Sequence, residues 1–189
     1  MKISIVTFDD FTDLDLFILW DLLNRVERPD WRVKLLGDKE SHVSSTGIEI
    51  KMHGRLDEAD ASDAVIFCSG RGTRKKMSDE SFLSSFSLDE GRQLIGAIDS
   101  GALLLGALGL LKGKRATSYP SPEIKEALEA AGAVVTWETF VRDGNVATAA
   151  RCLAGRYLAG WVIESLAGSE ESAKALASVA PLDEAPPQF

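Results

Sequence analysis

At 189 residues, 45% hydrophobic and 26% charged, the chain is long enough for one substantial core and too apolar to remain unfolded. A formal charge of −8 at pH 7 argues against a nucleic-acid surface. The two cysteines, Cys68 and Cys152, make neither a disulfide framework nor a zinc spacing. In chain order, Lys2 to Thr7 alternates as a strand and lacks the pattern of a signal peptide. A helix is predicted from about Leu14 to Val26, with Leu16, Leu19, Trp20, Leu22 and Leu23 on its apolar face. Pro29-Asp30 ends it, and Trp31 to Leu36 reads as the next strand. A hairpin is expected over Ser41 to Ile50, turning at Thr46-Gly47.

Ala64 to Phe67 is fully apolar, as in a parallel sheet covered on both faces. It runs into the small-residue loop Cys68 to Thr73. Ser81 to Ile95 reads as helical, then Leu94 to Ile98 as a strand. Arg115 to Ser118 is a further strand, and Pro122 opens a helix through Ala131. Ala133 to Thr136 and Phe140-Val141 flank a turn, Asp143-Gly144 signals a hairpin, Asn145 to Ala149 returns, and Leu153 to Leu166 is the last helix. Alternating strands and helices predict a flavodoxin-like, doubly wound α/β fold with a mostly parallel sheet. One domain is expected over residues 1–168, followed by a partly disordered tail over 169–189. Ligands of such sheets bind at the carboxyl ends of the strands. The apolar run Ala102 to Leu111 is too short to span a bilayer, so a soluble, cytoplasmic protein with no membrane partner is expected.

The most informative stretch is Leu94 to Leu111, where an apolar strand meets one polar residue, Asp99, then Ser100-Gly101 and an apolar helix. This is the strand–turn–helix setting of a nucleophile elbow, which presents its central side chain above the sheet edge. That residue is an acid rather than Ser or Cys.

These residues carry a resemblance. Asp15 in Leu14-Asp15-Leu16, the loop Gly70 to Arg74, and the run from Asp99 through Gly106 to Pro120 are similar to the ThiJ/PfpI superfamily, a class I glutamine amidotransferase-like group. Its members include isocyanide hydratases, glyoxalase- and deglycase-like enzymes and PfpI peptidase-like proteins. The resemblance spans Lys2 to Gly168 and is closest in motif to the isocyanide hydratases. It implies a hydratase or hydrolase scaffold for a small molecule, no cofactor, no metal, and a homodimer. It also implies Asp15 as the family acid, and an oxyanion pocket around Gly70, Arg71, Ser100, Gly101 and Tyr119. The family nucleophile is a cysteine at the position of Asp99, so thiol chemistry at the elbow is excluded. Relatives often carry Gly-Val-Ser where this chain has Arg151-Cys152-Leu153.

Two readings of Asp99 follow. Facing Asp15, it forms an acid–base dyad in which two close carboxyls share a proton, or attacks as a carboxylate nucleophile. Alternatively the acid is what remains after the thiol was lost, or an introduced stand-in for a sulfinate, in a non-catalytic member that binds a small ligand or partner. Cys68, Arg151 and Cys152 are assigned to the pocket rim. A displaced nucleophile at either cysteine is an open alternative, with small buried residues favoured for both. His42 and His53 receive no role, and Tyr119 reads as a hydrogen-bonded tyrosine at a strand end.

Overall fold

A computed structural model describes residues 1–182. In chain order the elements are β1 (Lys2–Val6), α1 (Asp13–Leu23), β2 (Arg32–Gly37), β3 (Ser41–Val43), β4 (Glu49–Lys51), β5 (Gly54–Arg55), β6 (Ala64–Phe67), α2 (Thr73–Lys76), α3 (Glu80–Leu83), β7 (Leu94–Ile98), α4 (Ala102–Ala107), β8 (Arg115–Ala116), α5 (Pro122–Ala130), β9 (Val134–Val135), β10 (Phe140–Asp143), β11 (Val146–Ala149), α6 (Gly155–Ala167) and α7 (Ser169–Ala177).

Seven strands form the central sheet in the order β10-β11-β7-β6-β1-β2-β5. All neighbours are parallel except the hairpin β10-β11. The apolar strands β6, β7 and β11 are buried along their whole length, as a sheet covered on both faces requires. Period-two alternation sends their side chains into two cores. Ile3, Ile5, Ile66 and Ile98 pack with Leu16, Leu19, Leu158 and Trp161 under α1, α6 and α7. Val6, Val65, Phe67 and Ile95 pack with Leu104, Ile124 and Leu128 under α4 and α5. The chain moves from β1 to β2 and then returns to β6 on the other side of β1. The strand-order reversal therefore opens a crevice beside the β1 and β6 carboxyl ends.

Several predicted elements shorten. Ser81 to Ile95 is not one helix: only Glu80–Leu83 is helical. Beyond it polar side chains take the backbone N–H groups: Asp60 accepts from Ser87 at 2.8 Å, Gln93 from Asp89 at 2.9 Å and Asp89 from Gly91 at 2.9 Å, which competes with a helical ladder. The elbow helix stops at Ala107 rather than Leu111, because the chain turns left-handed at Gly109 (φ 76°). Val134–Val135 does not turn against β10; it pairs in parallel with β8 in a separate two-stranded sheet. Part of the expected tail is ordered, since α7 packs Ala175 and Leu176 into the core and Ser172 donates to Gly160 O at 3.0 Å. Residues 183–189 of that tail lie outside the described residues. Among the described residues no helix is long and apolar enough to cross a membrane.

Candidate active site

Four adjacent strands, β11, β7, β6 and β1, end on one edge, and each leaves the sheet through a residue of positive φ: Arg151 at 65°, Asp99 at 52°, Gly70 at 145° and Asp10 at 60°. Three of the four are not glycine. Strain of this kind persists only where the surroundings enforce it, and it gathers at functional edges.

The elbow is built as the sequence predicts. β7 ends at Ile98, Asp99 takes the left-handed turn, and a short 3-10 turn leads into α4. Gly101 permits this, because a Cβ there would lie 2.6 Å from the Cys68 carbonyl oxygen and 2.8 Å from that of Phe67. Ser118 Oγ donates to Asp99 O at 2.8 Å, fixing the turn from the far side.

Asp15 arrives from α1, whose first turn it occupies. The Phe8–Thr12 loop is stitched to the loop after β6: Phe11 bridges Gly70, and Thr12 N donates to Ser69 O at 2.9 Å. The stitching brings the Ser69 hydroxyl to donate to Asp15 Oδ2. Asp15 is fully buried. The Cys152 thiol lies against the same carboxyl, yet Oδ1 is left without a partner of full hydrogen-bond geometry. Burial raises the Asp15 carboxyl above its ordinary range, against the opposing pull of Cys152 and Ser69.

Asp99 is half-buried, within electrostatic reach of Asp15. Burial first, and then the Asp15 charge, push its carboxyl up to about 6, while the Ser100 and Arg151 backbone N–H groups and the Arg151 guanidinium act the other way. The two acids are thus electrostatically coupled, and one resists ionising while the other is charged. Cys152 is pushed up to about 12 by burial and by Asp15, which suppresses its thiolate at neutral pH.

The expected oxyanion donors are engaged. Ser100 N donates to Asp99 Oδ1 at 2.7 Å, and Gly70 N to Ser100 Oγ at 3.3 Å. Thr73 Oγ1 also meets Ser100 Oγ at 3.3 Å, so the Ser100 hydroxyl knits the glycine loop to the elbow. A substrate anion would have to displace these partners.

Of the residues singled out in the sequence, Asp15, Asp99, Ser100, Gly70, Gly101, Arg151 and Cys152 gather here. Cys68 is fully buried beneath the loop, as a structural cysteine is. Cys152 departs from the buried reading, being half-buried and turned to Asp15. Arg71 is exposed on the glycine loop. Tyr119 is 47% exposed, and its hydroxyl finds no partner among the described residues, contrary to the hydrogen-bonded expectation.

Two features escaped the sequence. Ser69 carries no motif signal beyond its place in a small-residue loop. His42 is fully buried, with Nδ1 2.9 Å from Asp9 Oδ1 and Nε2 3.3 Å from Asp38 Oδ1. Lys76 reaches Asp38 at 2.7 Å and Asp79 at 2.9 Å. This network ties the β3-β4 hairpin to the turn after β1. A separate cleft of about 1040 Å3 lies near the β5 edge, bordered by Asp38, Lys39, His53 and Arg55. It contains none of the coupled carboxyls, so the elbow is the better candidate for chemistry. Among the described residues no cluster of His, Cys, Asp and Glu could hold a metal ion.

The chain is similar in sequence and fold to known proteins. The chain is 30% identical over 170 residues to the isonitrile hydratase of Pseudomonas putida, covering 89% of this chain and 73% of that protein. It is 33% identical over 115 residues to protein dj-1beta of Drosophila melanogaster, covering 60% of each. The structure superposes on a ThiJ/PfpI family protein from Pseudomonas syringae with a TM-score of 0.86 at 25% identity, over 99% of this chain and 77% of that one. On Drosophila melanogaster DJ-1beta the TM-score is 0.80 at 23% identity, over 94% and 96% of the two chains. The sequence pattern of the DJ-1/PfpI family matches residues 1–165, and the chain belongs to that family.

Proposed function

We propose that the protein is a small-molecule hydratase that works without a thiol intermediate, with Asp99 as its acid. The observation that carries the reading is the elbow carboxyl itself: held at the sheet edge at φ 52° and pushed up to about 6 by burial and by Asp15. A general acid is most effective when its pKa lies near the working pH. Asp15 has no exposed surface and cannot touch a substrate. Its role is positional and electrostatic: while ionised, it keeps the shared proton on the pocket-facing Asp99.

The similarity to an isonitrile hydratase supplies the reaction to test. Asp99 donates its proton to the terminal carbon of R–N≡C, and water forms a C–O bond to the same carbon. The proton released by that water returns to Asp99, and the imidic acid rearranges to the formamide R–NH–CHO. No leaving group or oxidant is required. The test is hydration of an aryl isocyanide from about pH 5 to about pH 8. Turnover should fall as Asp99 ionises, and Asp99→Asn should lower it by about 100-fold or more. Asp15→Asn should move the descending limb to lower pH, since losing the neighbouring charge lets Asp99 ionise earlier. Turnover indifferent to Asp99→Asn sinks the mechanism.

One observation favours a second reading, a family member that binds a small ligand without transforming it. The Ser100 N–H, the donor a developing oxyanion would need, is already held by Asp99 Oδ1 at 2.7 Å. Silence of the unmodified chain towards isocyanides, with turnover appearing in Asp99→Cys, decides for this reading.

A further inference from the structure

The turn after β11 delivers a cation to the elbow under strain. Arg151 has φ 65° and ψ 161°, a region that is essentially glycine's alone. β11 runs parallel to β7 with Ala149 opposite Ile98, so the two chains leave the sheet side by side and Arg151 emerges beside Asp99. There its backbone N–H and its guanidinium both act on the Asp99 carboxyl. The side chain is exposed. Arg25, Arg28, Arg55, Arg74 and Arg115 each hold a carboxylate in an ion pair. Arg151 holds none within ion-pair distance among the described residues. A cation without an ion pair in a chain of net charge −8, exposed beside the half-buried Asp99, is placed for a ligand.

We infer that Arg151 determines specificity by gripping the carboxylate of a small acid whose unsaturated carbon lies at Asp99. The guanidinium fork matches a planar carboxylate through two parallel N–H···O bonds. A monoanion fits better than a phosphate dianion, because Asp15 and Asp99 repel each added negative charge. The position of the reacting carbon rests on the hydratase reading; the grip on the carboxylate does not. Arg71 stands on the loop after β6, on the other flank of β7. It too is exposed and without an ion-pair partner among the described residues, and it is the internal control.

The experiment compares isocyanoacetate with its methyl ester, two ligands that share a reactive carbon and differ in charge. Binding to the full chain is followed by ligand-observed NMR, and hydration is measured in parallel. The unmodified protein should hold the acid about tenfold more tightly than the ester. Arg151→Gln and Arg151→Gly should each bring that ratio close to one; the glycine variant also removes the backbone strain, so a folding defect cannot imitate the result. Arg71→Gln should keep the preference. Equal affinity for acid and ester in the unmodified protein overturns the inference, as does a preference that survives both Arg151 variants or is lost in Arg71→Gln. If the preference behaves as stated and neither compound is hydrated, the inference stands and the hydratase reading fails.

Discussion

Cys152 shows how a neighbour sets the chemistry of a single side chain. A half-buried thiol on a pocket rim would ordinarily be open to alkylation, yet burial and the Asp15 carboxyl push it up to about 12. Each unit of pKa above the ambient pH costs tenfold in thiolate, the nucleophilic form. Asp15→Asn removes the charge and should speed alkylation of Cys152 by iodoacetamide about tenfold or more at mildly alkaline pH. Peptide mass spectrometry against time measures this, with the fully buried Cys68 as an internal reference that stays slow in both proteins. A slower reaction in the variant would mean that Asp15 assists the thiol rather than suppressing it. Asp99 was legible from sequence because an elbow has local grammar: apolar strand, one polar residue, a small pair, apolar helix. Cys152 had no such grammar. Its partner Asp15 sits in the first turn of α1, and only the fold brings the two together. His42 escaped for the same reason, since Asp9 and Asp38 reach its two nitrogens from separate turns.

At the scale of elements, the site depends on loops that approach one another more closely than side chains allow. Gly101 lies against the end of β6, where an added Cβ would stand 2.6 Å from one carbonyl oxygen and 2.8 Å from another. Both obstacles are backbone atoms, one in the last residue of a central strand and one in the residue after it, and they cannot swing aside as a side chain could. Gly101→Ala should therefore destabilise the fold by about 2–4 kcal/mol, read as a lower urea midpoint with an unchanged slope. A loss below about 0.5 kcal/mol would show that the elbow can shift away from β6. The strands that carry this edge were readable from their apolar runs, because central parallel strands are buried on both faces. Boundaries were lost where polar side chains competed for the backbone, as over Ser84 to Gly91, and where pairing was decided far along the chain. Nothing local to Val134-Val135 says that its partner is β8 rather than β10.

Across the whole molecule, two charged regions pull stability in opposite directions with pH. Around His42, burial raises the Asp9 carboxyl, but the hydrogen bonds from Lys39, His42 and the Val43 N–H outweigh it and leave the group below the usual range. That region stabilises the fold above the unfolded carboxylate pKa and loses its contribution as the pH falls. Asp99 does the reverse. With its folded pKa near 6 against an ordinary 3.8, the native state binds the proton more tightly than the unfolded chain. Stability therefore falls as pH rises through the interval between those values, and the penalty is complete above it. Asp99→Asn removes the titration while keeping a residue that tolerates the left-handed turn and an oxygen able to accept the Ser100 N–H. The variant should be more stable than the parent at pH 7–8 by about 1–2 kcal/mol, less than the shift alone implies because water reaches the half-buried side chain. The difference should shrink to nothing by about pH 4, as followed by urea unfolding at a series of pH values. A difference that does not change with pH would trace the effect to packing, and would remove the electrostatic coupling on which Asp99 as an acid depends.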